Sequence, residues 1–182
     1  MKVYALALLA LVGCGAAEQH PPVPTQEPRP DTAITDEQVQ EYYDEFMQLC
    51  DYTNHTLCHT NAPKLRSIQI VDKEELLKQA AKIKVTSTTT VGLCVYSYRT
   101  NNPTNIISSN VYLLNNNGYG QNWYPDELRA LIFHELGHCL LQLEHPNPTR
   151  PSTDPAIMNY QMYRLSIYQS NWDTMVTELF AH

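Results

Sequence analysis

Val39, Tyr42, Tyr43, Phe46 and Leu49 recur three and four positions apart behind Thr35-Asp36-Glu37-Gln38, a threonine N-cap with glutamine three residues on. This pattern predicts an amphipathic helix over residues 36–50. A loop through Asn61 and Pro63 follows. Residues 66–71 form a short β-rich run, and Asp72-Lys73-Glu74-Glu75 caps a second helix through about Ala81. Residues 83–85, 91–98 and 105–114 have the β-branched and aromatic content of strands, with a turn at Asn101-Asn102-Pro103 between the last two. Residues 115–120 read as a polar, glycine-containing loop. Over residues 126–143, Leu128, Ile132, Leu136 and Leu140 lie along one helical face at steps of four, with Asp126 as cap and Pro125 at the entry. A last helical stretch starts near Asn171. Strands and helices in this mixture predict an α+β fold, and no internal repeat is visible.

The first residues follow a different pattern. Lys2 precedes an apolar stretch over residues 3–12, the length of a signal-peptide core and too short to span a bilayer. Leu11-Val12-Gly13-Cys14 then resembles the lipobox of bacterial lipoproteins, in which cleavage precedes a lipid-bearing cysteine. Residues 1–13 are therefore expected to be a signal peptide and Cys14 a lipid anchor. Gly15 is not the aspartate that retains enteric lipoproteins at the inner membrane. The expected location is the outer membrane or cell surface of a bacterial envelope, with the lipid as the sole membrane contact. Pro21, Pro22, Pro24, Pro28 and Pro30 make residues 14–34 a proline-rich tether, and the folded domain is expected over 35–182.

Composition narrows the function. Lys and Arg number 12 against 19 Asp and Glu, a formal charge of −7, so nothing here would replace the counterions of a nucleic acid. A hydrophobic content of 43% with 17% charged residues fits one globular domain rather than a disordered chain, and a monomer is the separate expectation. With Cys14 lipidated, Cys50, Cys58, Cys94 and Cys139 remain, an even number for an oxidising compartment. Of the three possible pairings, Cys50 with Cys58 and Cys94 with Cys139 is preferred: the first closes a local loop, the second ties a strand to a helix. A rival reading takes Cys50, His55, Cys58 and His59 as a small zinc site.

The chemistry sits in His134-Glu135-Leu136-Gly137-His138. Histidines four apart project from one side of a helix and can share a metal ion, and Glu135, one position on, can take a proton from water at that metal. A catalytic tetrahedral site needs a third protein ligand. The segment HELGHCLLQLEH, residues 134–145, and the later Pro155-Ala156-Ile157-Met158-Asn159-Tyr160 supply candidates.

These motifs resemble the metzincin clan of zinc endopeptidases, which carry HExxHxxGxxH and a methionine-containing turn beneath the metal. They are most similar to bacterial lipoprotein-type metallopeptidases with HELGHC and an Ile-Met-Asn turn, over roughly residues 66–182. The resemblance implies a small twisted mixed sheet with a backing helix, an active-site helix, the Met-turn and a C-terminal helix. It implies one zinc ion per chain on His134 and His138, Glu135 as general base, Met158 as the turn methionine and Tyr160 as a tyrosine stabilising the oxyanion. It also implies an edge strand over residues 105–114 that aligns an extended peptide or protein substrate.

The third ligand departs from the pattern. The common spacing would put glycine at Leu141 and histidine at Glu144, whereas histidine arrives one position late. His145 is preferred, because imidazole suits zinc and Pro146 forces an extended exit. Glu144 and, on the last helix, Glu178 are the alternatives. The expected activity is metal-assisted hydrolysis of peptide bonds; the competing class is a non-catalytic, metzincin-like binding module on a surface lipoprotein.

Overall fold

A computed structural model describes residues 28–31, 33–85, 87, 89–99, 102–146, 149–151, 153–159 and 161–181, with the backbone alone for 99 and 102–105. The expected signal peptide, Cys14, most of the tether and Tyr160 lie outside the described residues. The described residues form an α+β fold with five α-helices and a three-stranded mixed sheet: α1 (Asp36–Thr53), α2 (Thr56–Asn61), a 3-10 turn (Ala62–Lys64), β1 (Leu65–Val71), α3 (Lys73–Lys82), β2 (Gly92–Arg99), β3 (Asn102–Leu114), α4 (Pro125–Leu141) and α5 (Leu165–Leu179).

Local signals place several of these ends. The Thr35 side chain accepts from Gln38 N while Gln38 Oε1 accepts from Thr35 N, the reciprocal box expected for α1. Asp72 caps α3 through Glu75 N at 2.9 Å. Residues 83–85 form no strand. Lys84 turns into the left-handed region (φ 61) and Val85 N returns to Ala80 O, so this β-rich segment closes α3 instead. The loop expected after α1 contains α2, tied back by the Cys50–Cys58 disulfide and by Asn61 Nδ2, which donates to Leu140 O at 2.9 Å. With Cys50 and Cys58 joined, the rival zinc site loses its two thiolates.

The sheet order is β1-β3-β2, with β1 parallel and β2 antiparallel to β3. Residues 105–114 therefore lie in the central strand, paired on both sides, and cannot be the substrate-aligning edge; the strands with a second side left unpaired among the described residues are β1 and β2. Alternation along β3 sorts the two faces. Val111 and Leu113 enter the main core with α4, while Leu114 and Tyr112 join Leu76 and Ala80 of α3 on the other side.

α4 is the central helix of the domain. It is covered by the sheet, by α1 through Phe46 against Phe133 (ring centroids 5.2 Å), and by α5 through Trp172 against Phe133 (5.1 Å). Nearly every residue of 130–141 is buried, so the stripe at steps of four understates the helix: it is apolar around most of its circumference because it has neighbours around most of it. Its N-cap is Tyr124 rather than Asp126, with Pro125 in the first position and Glu127 accepting from Tyr124 N. Trp123 beside it is buried and donates from Nε1 to Leu114 O at 2.9 Å, a core anchor. α5 begins at Leu165, six positions before the expected Asn171.

Candidate metal centre

α4 ends at Leu141, and Gln142 takes the left-handed conformation (φ 58) with its N–H on Gly137 O. The chain then folds back, Leu143 N also reaching Gly137 O at 3.1 Å. This turn brings His145 to the two helical histidines. His134 Nε2 and His145 Nε2 stand 3.0 Å apart, His138 and His145 3.1 Å, and His134 and His138 3.2 Å.

The ring orientations decide what this triangle is. His134 Nδ1 lies 2.7 Å from Ile157 O and His138 Nδ1 lies 2.6 Å from Leu143 O. A carbonyl only accepts, so both Nδ1 atoms carry the proton and both neutral rings turn bare Nε2 lone pairs toward each other. Lone pairs at this separation repel unless a cation sits among them. Nitrogen ligands ~2.0–2.1 Å from a tetrahedral metal stand roughly 3.3–3.4 Å apart, close to the observed edges. The donor set therefore fits a metal ion, with the outer ring nitrogens held by backbone carbonyls as metal-bound histidines commonly are. His134, His138 and His145 are the group of potential ligands among the described residues.

Burial keeps these rings neutral. Desolvation pushes the His134 imidazole down to about 3, with the His138 charge adding. It pushes His138 to about 4 and also lowers His145, which lies at the exposed rim.

Glu135 points to the sheet side of α4 and is buried. Desolvation raises its carboxyl to about 8, against the pull of a hydrogen bond from the Cys94 backbone N–H. Two further features of β2 surround it. A Cβ at Gly92 would overlap Glu135 Oε1 and approach Leu131 Cδ1 at 2.7 Å. The Cys94–Cys139 disulfide, one helical turn beyond Glu135, fastens the same strand to α4 with a Cα–Cα distance of 5.7 Å. Sequence reasoning missed Gly92; the signal was an isolated glycine in a strand pattern, which marks close approach of another group.

The turn 155–159 lies beneath the helix, all five residues buried. Ile157 O holds His134, and Met158 Sδ occupies the space that a Cβ at Gly137 would need. Asn159 Oδ1 accepts from Arg150 N at 3.0 Å. Arg150, also missed from the sequence, pairs with Asp154 and Glu178 and so ties the chain after His145 to α5. Glu178 is spent on this ion pair and stands outside the histidine group, which removes it as the third ligand. Glu144 is exposed and likewise outside it. No protein-family model, curated protein or solved structure matches this chain.

Proposed function

We propose that this chain is a zinc-dependent endopeptidase of the metzincin type, hydrolysing peptide bonds with Glu135 as general base. The observation that carries the reading is the triangle of three histidine Nε2 atoms with a buried carboxylate one residue from the first ligand. Three neutral imidazoles with a fourth position open are the ligand set zinc takes in hydrolytic sites. When bound, zinc supplies Lewis acidity, polarising a carbonyl and acidifying water toward a pKa of ~7.

The residues of the chain do the rest. His134, His138 and His145 hold the ion, and Ile157 O and Leu143 O hold the first two rings in register. Glu135 takes the proton of the attacking water and returns it to the leaving amine. A scaffold that only bound a metal would have no use for a carboxylate buried beside the ligands, because an idle buried carboxyl costs stability. The turn over Gln142 also supports the metzincin reading. The pattern glycine-x-x-histidine survives as Gln142-x-x-His145, with both the left-handed residue and the third ligand moved on by one. Met158 under Gly137 is the turn methionine of this reading, and Tyr160 its oxyanion tyrosine.

The outer edge of β2, adjacent to Glu135, is where an extended peptide substrate pairs its backbone in this reading. The protein acts as a monomer without nucleic acid, exported and held to the bacterial envelope by lipid on Cys14. The two disulfides are at home in that oxidising compartment.

The test is Glu135→Ala. The purified variant is expected to keep one zinc per chain after dialysis against metal-free buffer and to lose cleavage of unstructured peptides by ~100-fold or more. A parent protein that retains no zinc, or a variant that cleaves like the parent, overturns the reading.

A further inference from the structure

Glu135 is flanked by three features of one short strand segment. Gly92 leaves the space its carboxylate occupies, the Cys94 N–H donates to that carboxylate, and the Cys94 side chain is bonded to Cys139. Gly92 and Cys94 are two apart and so present the same face of β2 to α4, while Glu135 and Cys139 are four apart and present one face of α4 to β2. The contact is thus a matched pair: clearance and hydrogen bond at the carboxylate, a covalent rivet one turn away.

We propose that the Gly92–Cys94 segment of β2 is the positioning element for Glu135, and that Gly92 is required for turnover but not for metal binding. The inference rests on the peptidase reading for its kinetic consequence, though not for the placement of the side chain. The three atoms nearest the space beyond the Gly92 Cα are ends of the Glu135 and Leu131 side chains rather than any histidine atom. Both ends are flexible, so Gly92→Ala folds by pushing them aside. The displaced group that matters is the carboxylate, since a reacting group misplaced by about 1 Å loses on the order of 100-fold in rate. The two helical histidines, anchored through Ile157 O and Leu143 O, stay where they are.

The experiment compares the full chain with Gly92→Ala and with Gly92→Ala/Leu131→Ala, which removes the methyl overlap and leaves the carboxylate overlap. Two readouts are taken. The first is the amide resonance of Cys94 by nuclear magnetic resonance, with Glu135→Ala as the reference for a lost hydrogen bond. The second is zinc content together with kcat and KM on an unstructured peptide. The expected result is a Cys94 amide shifted toward the Glu135→Ala position in both variants. Zinc should stay at one per chain, KM should be unchanged and kcat should fall at least ~10-fold. A Cys94 amide that stays at the wild-type position in Gly92→Ala overturns the proposal, as does recovery of kcat in the double variant, which would assign the effect to Leu131 packing. A wild-type chain that holds zinc but cleaves no peptide overturns the peptidase reading; the Cys94 amide then still decides the placement of Glu135.

Discussion

His145 joins the other two histidines because of the residue three before it. With Gln142 in the left-handed region, the chain reverses and the imidazole at 145 meets the other two. The neighbouring Glu144 is exposed and stands outside the histidine group. His145→Ala is therefore expected to weaken zinc binding by ~100-fold or more and Glu144→Ala by less than about threefold, read by competition with a chromogenic chelator. The reverse order would move the ligand to 144. Proton linkage belongs to the same residues. In the metal-free fold His134 and His138 are held near 3 and 4, below the 6.5 of the unfolded chain, so the unfolded state binds more protons and stability falls as pH drops below 6.5. Glu135 is raised from 4.5 to about 8, so the folded state keeps a proton that the unfolded chain has lost, and stability falls as pH rises across that interval. Between 4.5 and 6.5 the lowered imidazoles, His145 among them, outweigh one carboxyl, and above 6.5 the carboxyl dominates. Urea midpoints of the metal-free protein should accordingly peak near pH 6.5, with the alkaline decline absent in Glu135→Gln. A profile level between pH 6.5 and 8 would contradict the burial of Glu135.

Elements whose ends depend on neighbouring residues were legible, and elements that depend on partners were not. The Thr35–Gln38 box and the Asp72 cap act within one turn and start α1 and α3 where the sequence indicates. α2 has only six residues and a polar composition, which leaves no periodicity to read; a disulfide and the Asn61 side chain hold it. Residues 83–85 carry the β-branched signature of a strand but have no strand beside them, and helix closure uses them instead. The two disulfides differ in reach. Cys94–Cys139 closes 45 residues and Cys50–Cys58 closes 8. On chain entropy alone, removing the first by paired alanines should cost about 4 kcal/mol and the second about 2.5 kcal/mol, measured as urea stability. Equal costs would mean that the longer bridge does little beyond holding β2 at Glu135.

Across the whole molecule, the folded body begins before the predicted boundary at residue 35. Arg29 donates to Glu127 at 3.0 Å and to Asn122 O at 2.7 Å, and lies 4.1 Å above the centre of the Tyr124 ring. Asn122 Nδ2 answers with a bond to Pro30 O at 2.8 Å. The end of the proline-rich segment is thus clamped at the entrance of α4, next to the Glu127 carboxylate that also accepts from Tyr124 N. Arg29→Ala in residues 28–182 should lower stability by about 1 kcal/mol, and a chain starting at Asp31 should be weakened equally. A chain from Asp31 as stable as the longer one would show that the clamp holds only the tether.

The sequence by itself determined what depends on short spacings. It placed two histidines four apart on a helix, an acid beside them, a methionine-containing segment after them and most helix starts, because helical geometry and capping act within a few residues. Tertiary structure decided the rest. His145 was already preferred from its sequence, but the left-handed turn at a non-glycine residue, Gln142, that brings it to the other two histidines was not visible there. The strand order put 105–114 in the middle of the sheet and left β2 beside the metal centre. The surroundings of Glu135 depended on a glycine 43 positions away in the chain. The last two could not be read locally: each arises where segments distant in sequence compete for the same space, and only the packed chain shows which of them fills it.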